Sequence, residues 1–223
     1  MNTRILVIIG TPLPDTYNHA LAHAYATAAT GAGADVRVID LATDPIPDHP
    51  RSRDQLRAPR SDADRALDRD VARYLDDVRW AEHIAVFHPQ WWGTAPAALK
   101  AFIDRVFLSG AAFRYREGSA ISERLLTGRT GRMVMTMDSP RWWNRLVYRG
   151  AAEAALTRAT FQYCGIRTLG ITRLSPIRLG DERRRRDWID QVARLGARDG
   201  ARPARTAPPA STSTPDTAAV VAR

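Results

Sequence analysis

Four of the six tryptophans come as adjacent pairs, Trp91–Trp92 in HPQWWG and Trp142–Trp143 in DSPRWW. Each pair follows an apolar run that reads as a buried strand, HIAVF before the first and GRMVMTM before the second. A core spaces its large aromatics at the period of a strand or helix, so neighbours in a loop must point in different directions. Either one packs while the other stands over something, or both stand over it. Two pairs beyond the same edge of one sheet suit a planar aromatic cofactor and planar substrates, because aromatic rings attract in offset or edge contact. Gly93 lets the backbone approach such a ring closely. The plainer reading packs Trp92 under the following helix and leaves Trp91 on the surface.

A second loop carries different chemistry. In GTPLPDTYN, residues 10 to 18, Asp15, Thr16 and Asn18 sit where the chain turns into a helix. Hydroxyls, an amide and free backbone N–H groups at a helix N-terminus form a phosphate site. Ordinary N-capping by Thr16 or Asn18 explains the same residues equally well. Neither GxGxxG nor GxxxxGK[ST] occurs, so the dinucleotide fingerprint and the P-loop are both missing. Cys164, the only cysteine, leaves no intramolecular disulfide and no cysteine cluster for a metal, and FQYCGI suggests a buried thiol.

These loops must be held by something, and the apolar pattern says what. RILVIIG is a continuous apolar run of the kind found in a central parallel strand. Strand and helix then alternate: a helix over 18–30, a strand over 35–41, and a proline-broken surface loop. A helix over 61–80 is expected with Ser61 as its cap, then the strand HIAVFHP and a helix over 95–107 with Pro96 in its first turn. The strand GRMVMTM, a helix over 150–163, a fifth strand in IRTLGITRLSPI and a helix over 181–195 complete the series. The pattern predicts an α/β, flavodoxin-like three-layer sandwich with a five-stranded parallel sheet in the order 2-1-3-4-5. Residues 1–197 are expected to form this domain, and 198–223, rich in proline, alanine, serine and threonine, a disordered tail. Such sheets bind ligands beyond the carboxyl ends of their strands, where the strand order reverses. Those ends carry GTPLPDTYN, HPQWWGTAP and TMDSPRWW.

Composition narrows the classes. The formal net charge is +9, but Lys100 is the only lysine among 33 basic residues, and the arginines are dispersed among acids. That pattern resembles the codon bias of a GC-rich genome more than a phosphate-binding face, so nucleic acid is not expected as a partner. Arg183 to Arg186 read as the solvated start of a helix. No apolar stretch approaches the roughly 18 residues that span a bilayer, so membrane insertion is not expected. A cytoplasmic location is the expectation.

Together, HPQWWGTAPAALKAFIDRVFLSGAAFRY resembles the flavin-binding segment of the NAD(P)H:quinone oxidoreductases, the DT-diaphorase-like flavoproteins of flavodoxin fold. Pro89, Gln90, Trp91, Gly93, Pro96, Ala97, Leu99, Lys100, Phe102, Asp104, Arg105, Val106 and Phe107 carry the match, with Phe113 and Tyr115 in an aromatic turn. The resemblance runs from residue 4 to about 195 and places Thr16, Tyr17 and Asn18 where the family's first loop meets the flavin phosphate. Two positions depart from it: Thr11 stands where a histidine is usual, and Thr136, Met137, Asp138 and Ser139 stand where the family has T-T-G-G. A carboxylate facing the flavin N1 region would oppose the charge that builds there on reduction, so Asp138 is expected to point away.

The resemblance implies a ping-pong enzyme that takes a hydride from NAD(P)H onto FMN, with FAD as the alternative, and passes it to a quinone or similar flat acceptor. It further implies a homodimer, backbone amides of Trp91, Trp92 and Gly93 near the flavin ring, and Tyr115 closing the pocket, polarising a quinone oxygen, or packed in the dimer interface. A non-enzymatic electron carrier, a regulatory or accessory flavoprotein and a flavin-free descendant are the competing implications.

Overall fold

The computed structural model describes residues 2–61 and 63–204. Five strands form one parallel sheet: β1 (Arg4–Ile9), β2 (Asp35–Asp40), β3 (His83–Pro89), β4 (Thr130–Thr136) and β5 (Arg167–Leu174). Their order is β2-β1-β3-β4-β5. The expected flavodoxin-like architecture is present, with the order reversing between β1 and β3. Ile5 pairs with Val36 on one side and His83 on the other, and Phe87 with Val134.

Burial on both faces explains the unbroken apolar runs. Leu6 and Ile8 of β1 face a core shared with α2 (Arg69–Trp80) and α3 (Ala97–Val106). Ile5, Val7 and Ile9 face the opposite core, shared with α1 (Tyr17–Gly31) and a long C-terminal helix, Glu182–Gly200. A short helix α4 (Arg141–Leu146) follows β4, where the sequence reads as loop. Next comes α5 (Ala151–Glu153), which continues as a π-helix over Ala154–Gln162. There the Thr160 hydroxyl donates to the Ala155 carbonyl, five residues back, at 2.9 Å. The C-terminal helix is α6. Its N-cap Asp181 accepts from the Arg184 amide at 2.8 Å.

Two boundaries differ from the sequence reading. α2 starts at Arg69 rather than Ser61. The acids before it are drawn elsewhere: Asp64 accepts from the Arg60 amide at 2.7 Å, and Asp68 pairs with the buried Arg105 at 2.5 Å. α6 runs to Gly200 instead of stopping near Leu195. Gly196 and Gly200 read as breakers, yet each faces α1 so closely that a Cβ would collide with the carbonyl of Tyr25 or Ala29. Their lack of a side chain is what lets two helices touch backbone to backbone. The helical part of 198–204 therefore belongs to the domain, and 205–223 lie outside the described residues. Among the described residues no helix is long and apolar enough to cross a membrane.

Asp199, near the end of α6, is the hub of a buried polar cluster. It accepts from Arg132 Nε at 2.6 Å, Arg132 Nη2 at 3.0 Å and the Tyr25 hydroxyl at 2.7 Å. His83 Nε2 lies 3.3 Å from it. Burial alone would raise the Asp199 carboxyl, but the nearby His83 ring and hydrogen bonds from Arg132 and Tyr25 hold it well below the usual carboxylate range. The cluster sits at the amino end of β3, opposite the ligand edge, and fastens α6 to the sheet.

Candidate functional site

β1 delivers Gly10 and Thr11 to the carboxyl edge of the sheet. Thr11 is fully buried, and its Oγ1 accepts from the Leu13 amide at 3.3 Å, so its hydroxyl shapes the turn. At the start of α1 the Thr16 amide donates to His19 Nδ1 at 3.2 Å, with the Thr16 hydroxyl 2.9 Å from the same nitrogen. Accepting from an amide makes Nδ1 the unprotonated ring nitrogen of a neutral imidazole. His19 Nε2 then donates to Asp40 Oδ1 at 3.2 Å, tying the helix to the end of β2. This is a capping box with histidine in the place of the usual glutamate or glutamine. Tyr17 turns away: its hydroxyl donates to the Arg185 carbonyl at 2.6 Å, its ring contacts Trp188, and burial pushes it up to about 12. Asn18 is buried and donates to Thr136 Oγ1 at 3.0 Å, which joins the first loop to the end of β4. The amides of Tyr17 and Asn18, in the first turn of α1, donate to nothing among the described residues.

β3 delivers the second set of donors. Trp91 and Thr94 exchange backbone hydrogen bonds of 2.9 Å in both directions, which closes a two-residue hairpin with Trp92 and Gly93 at its tip. Trp92 has φ 52° and Gly93 φ 74°, the pair of positive values a type I′ turn requires. A tryptophan in this region is under strain that the closed turn must hold. Trp92 is 100% exposed and Trp91 37%, so neither anchors the loop in the core. The expectation that Trp92 packs beneath the next helix, or buries as an anchor, is corrected: the turn points its side chain into solvent. The backbone holds the loop instead, through the Gln90 amide on the Thr136 carbonyl at 2.7 Å. The amides of Trp92 and Gly93 donate to nothing among the described residues.

Behind the hairpin lies a polar chain that sequence reasoning missed. Gln90 Nε2 donates to Asn144 Oδ1 at 2.6 Å, and Asn144 Nδ2 to Glu153 Oε1 at 2.7 Å. Arg173 Nε reaches the same Glu153 oxygen at 2.7 Å. Glu153 Oε2 and His88 Nε2 are buried and have no hydrogen-bond partner among the described residues. His88 donates from Nδ1 to the Pro89 carbonyl at 2.9 Å, and burial lowers it to about 4, so the ring is neutral. Asn144 belongs to α4, which the sequence does not announce, and that hides its role. His19, by contrast, stands at the N3 spacing from Thr16 and was findable.

In the fourth loop Met137 is buried and donates its amide to the Leu174 carbonyl at 3.0 Å. Asp138 Oδ1 accepts from the Arg178 amide at 2.7 Å, and the Ser139 carbonyl accepts from the Ser175 hydroxyl at 2.5 Å. Asp138 is thus committed to the loop after β5. The Trp142 and Trp143 rings meet edge to face at 5.6 Å, and Trp143 contacts Tyr148 at 6.5 Å. A Cβ on Gly93 would lie 3.4 Å from the Tyr148 ring, so the two aromatic loops are neighbours.

A cleft of about 2860 Å³ runs from Pro12, Trp91, Trp92 and Thr94 along α3 to Tyr115 and Tyr163. It is several times larger than the 300–1,000 Å³ of a small-molecule pocket. Thr16, Tyr17, Asn18 and Thr136 lie outside its lining, whereas Trp92 is part of it, so the cleft starts at the hairpin and leaves the helix-start amides to one side. Tyr115 is exposed, stacked edge-on against Phe113 at 5.3 Å, and shares this cleft with Trp91 and Trp92. Cys164 is buried and its thiol is pushed up to about 12 by burial, consistent with an inert thiol. Among the described residues no cluster of histidine, cysteine and acids fits a metal.

Known proteins agree with this architecture. An FMN-dependent NADH:quinone oxidoreductase from Alcanivorax borkumensis is 36% identical over 120 residues, covering 51% of this chain and 61% of that protein. One of the same description from Sinorhizobium medicae is 29% identical over 159 residues, covering 68% and 73%. The chain likewise spans 61% of the length of related proteins from Penicillium crustosum and Haemophilus influenzae. The crystal structure of an FMN-dependent NADH-azoreductase from Bacillus anthracis, with FMN, superposes with a TM-score of 0.69 at 17% identity, covering 89% of this chain and 99% of that one. Residues 3–198 match the family described as Flavodoxin-like fold, and with the sheet order above the chain belongs to that family.

Proposed function

We propose that the chain is a flavin-dependent NAD(P)H oxidoreductase whose acceptor is a quinone or a similar flat molecule. One observation carries the reading. Two pairs of uncommitted backbone amides, Tyr17–Asn18 and Trp92–Gly93, flank the β1/β3 switch at the carboxyl edge of the sheet. A helix start suits the phosphate of FMN, and a hairpin tip with free N–H groups suits the carbonyl and nitrogen acceptors at the edge of its ring. The residues present therefore fit that group. The relatives named as FMN-dependent NADH:quinone oxidoreductases support the same assignment.

When bound, FMN supplies the hydride chemistry, accepting from NAD(P)H and reducing the acceptor in turn. The chain's residues do the positioning. Asn18 and Thr136 lock the first loop to β4, so the phosphate donors keep a fixed distance from the hairpin. Gln90, held by Asn144, fixes the base of the hairpin and hence its two amides. Trp91, Trp142 and Trp143 supply apolar walls against which flat substrates stack and from which water is excluded. Asp138, engaged by Arg178, keeps its charge away from the ring.

A homodimer in a cytoplasmic setting belongs to the same reading. The cleft along α3 is apolar and exposed, and a second copy seated there would bring its own residues against Tyr115 and Trp91. Initial-rate kinetics test the activity: parallel double-reciprocal lines for NADH against a soluble quinone are expected. Absence of NADH- or NADPH-dependent quinone reduction by flavin-loaded protein would refute it.

A further inference from the structure

We propose that the face formed by α4 and the hairpin tip docks on an anionic lipid bilayer and collects a quinone dissolved in it. The choice of cargo rests on the quinone-reductase reading; the docking does not. Large apolar side chains are concentrated here in the open. Trp92 is fully exposed, Trp142 60%, Leu146 68% and Val147 51%. Tyr148 bridges the two segments, with Gly93 on one side and Trp143 on the other, so the patch is continuous. An apolar patch of this kind on a soluble domain marks an interaction surface.

The residue types indicate which surface. Tryptophan and tyrosine concentrate where a bilayer meets water, since each has an apolar body and a polar tip. The segment RWWNRLVYR interleaves them with Arg141, Arg145 and Arg149. The Arg141 guanidinium donates to the Arg173 carbonyl at 2.7 Å, while the exposed Arg145 and Arg149 are long enough to carry their charged heads to headgroups. Exposed Arg178 lies in the neighbouring loop. The acids nearest in sequence are occupied: Asp138 accepts from the Arg178 amide, and Glu153 is buried with Asn144 and Arg173. Arg145 and Arg149 make no ion pair among the described residues. Pairing this face symmetrically with itself would set cations against cations. Anionic headgroups supply the missing charge. At six residues, α4 is far too short to enter the bilayer core and would lie in its surface. A quinone held in that bilayer would then meet the hairpin directly.

Sedimentation of the full-length protein with vesicles tests this. The protein should pellet with vesicles containing phosphatidylglycerol, should stay largely in solution with phosphatidylcholine alone, and should be released by high salt. The double variant Leu146→Ser/Arg145→Gln should weaken vesicle binding about tenfold. Its melting temperature, flavin content and turnover of a short-chain soluble quinone should match the parent. A parent that ignores anionic vesicles, or a variant that binds them as the parent does, overturns the docking. So does a variant that changes oligomeric state while the parent shows no vesicle binding, since the face is then an interface between copies. If vesicle binding behaves as expected but no soluble quinone is reduced, the docking stands and the quinone assignment fails.

Discussion

Trp91 and Thr94 close their hairpin through two backbone hydrogen bonds of 2.9 Å, which forces Trp92 between them into a left-handed conformation with its side chain in solvent. Backbone, not side-chain burial, therefore sets the loop. We expect Trp92→Ala to change stability by less than about 0.5 kcal/mol, as for other exposed positions. Trp92→Gly should raise the melting temperature by relieving strain worth about 1–3 kcal/mol. Thermal unfolding of the two variants checks this, and a large loss in Trp92→Ala would contradict the exposed placement.

Gly93 stands differently. Its φ is 74°, a conformation a branched side chain adopts only under strain, and the Cβ of such a side chain would already be in contact with the Tyr148 ring at 3.4 Å. Gly93→Val should open the hairpin and lower flavin affinity at least tenfold, with a cost to stability of about 1–3 kcal/mol. Equilibrium titration with FMN is the check.

Asn144 and Glu153 are buried and Gln90 half-buried, so breaking the chain between them leaves buried partners unsatisfied. Asn144→Ala should cost about 1–3 kcal/mol and loosen Gln90. Asn144→Asp should be no milder, because it can accept from Gln90 but sets a second carboxylate against Glu153 Oε1 in place of a donor. Fold stability from urea unfolding, set beside the FMN dissociation constant, separates the two effects.

His88 and Asp199 make the fold sensitive to acid. His88 is buried and neutral, lowered to about 4 from an ordinary 6.5. Between those pH values the unfolded chain takes up a proton that the folded chain does not. Stability should therefore fall by up to about 1.4 kcal/mol per pH unit as pH drops through that window. Asp199, held low, adds stability above the ordinary carboxylate pKa that is lost at still lower pH. His88→Gln should flatten the first phase and Asp199→Asn the second, read from unfolding midpoints across pH. Unchanged acid profiles in both would contradict the buried placements.

Much of the fold was legible because the central strands β1, β3 and β4 are buried on both faces and so print apolar runs in the sequence. The π-helical continuation of α5 and the helix α4 were not, since neither has an apolar period that separates it from a loop or an ordinary helix. The end of α6 was misread at Gly196: a glycine that permits helix contact looks in sequence like one that ends a helix. At the site, the positions of the loops at the carboxyl edge of the sheet follow from the pattern of residues. The roles of Trp92, Asn144 and Glu153 do not, because a turn type and a buried hydrogen-bond chain depend on partners distant in sequence.

The most direct test is an anaerobic titration of the purified protein, followed through the yellow flavin absorbance band. One FMN bound per chain is expected, bleached by one equivalent of NADH or NADPH and restored by one equivalent of quinone. A folded protein that binds no FMN, or whose bound flavin stays oxidised with either nucleotide, would contradict the account.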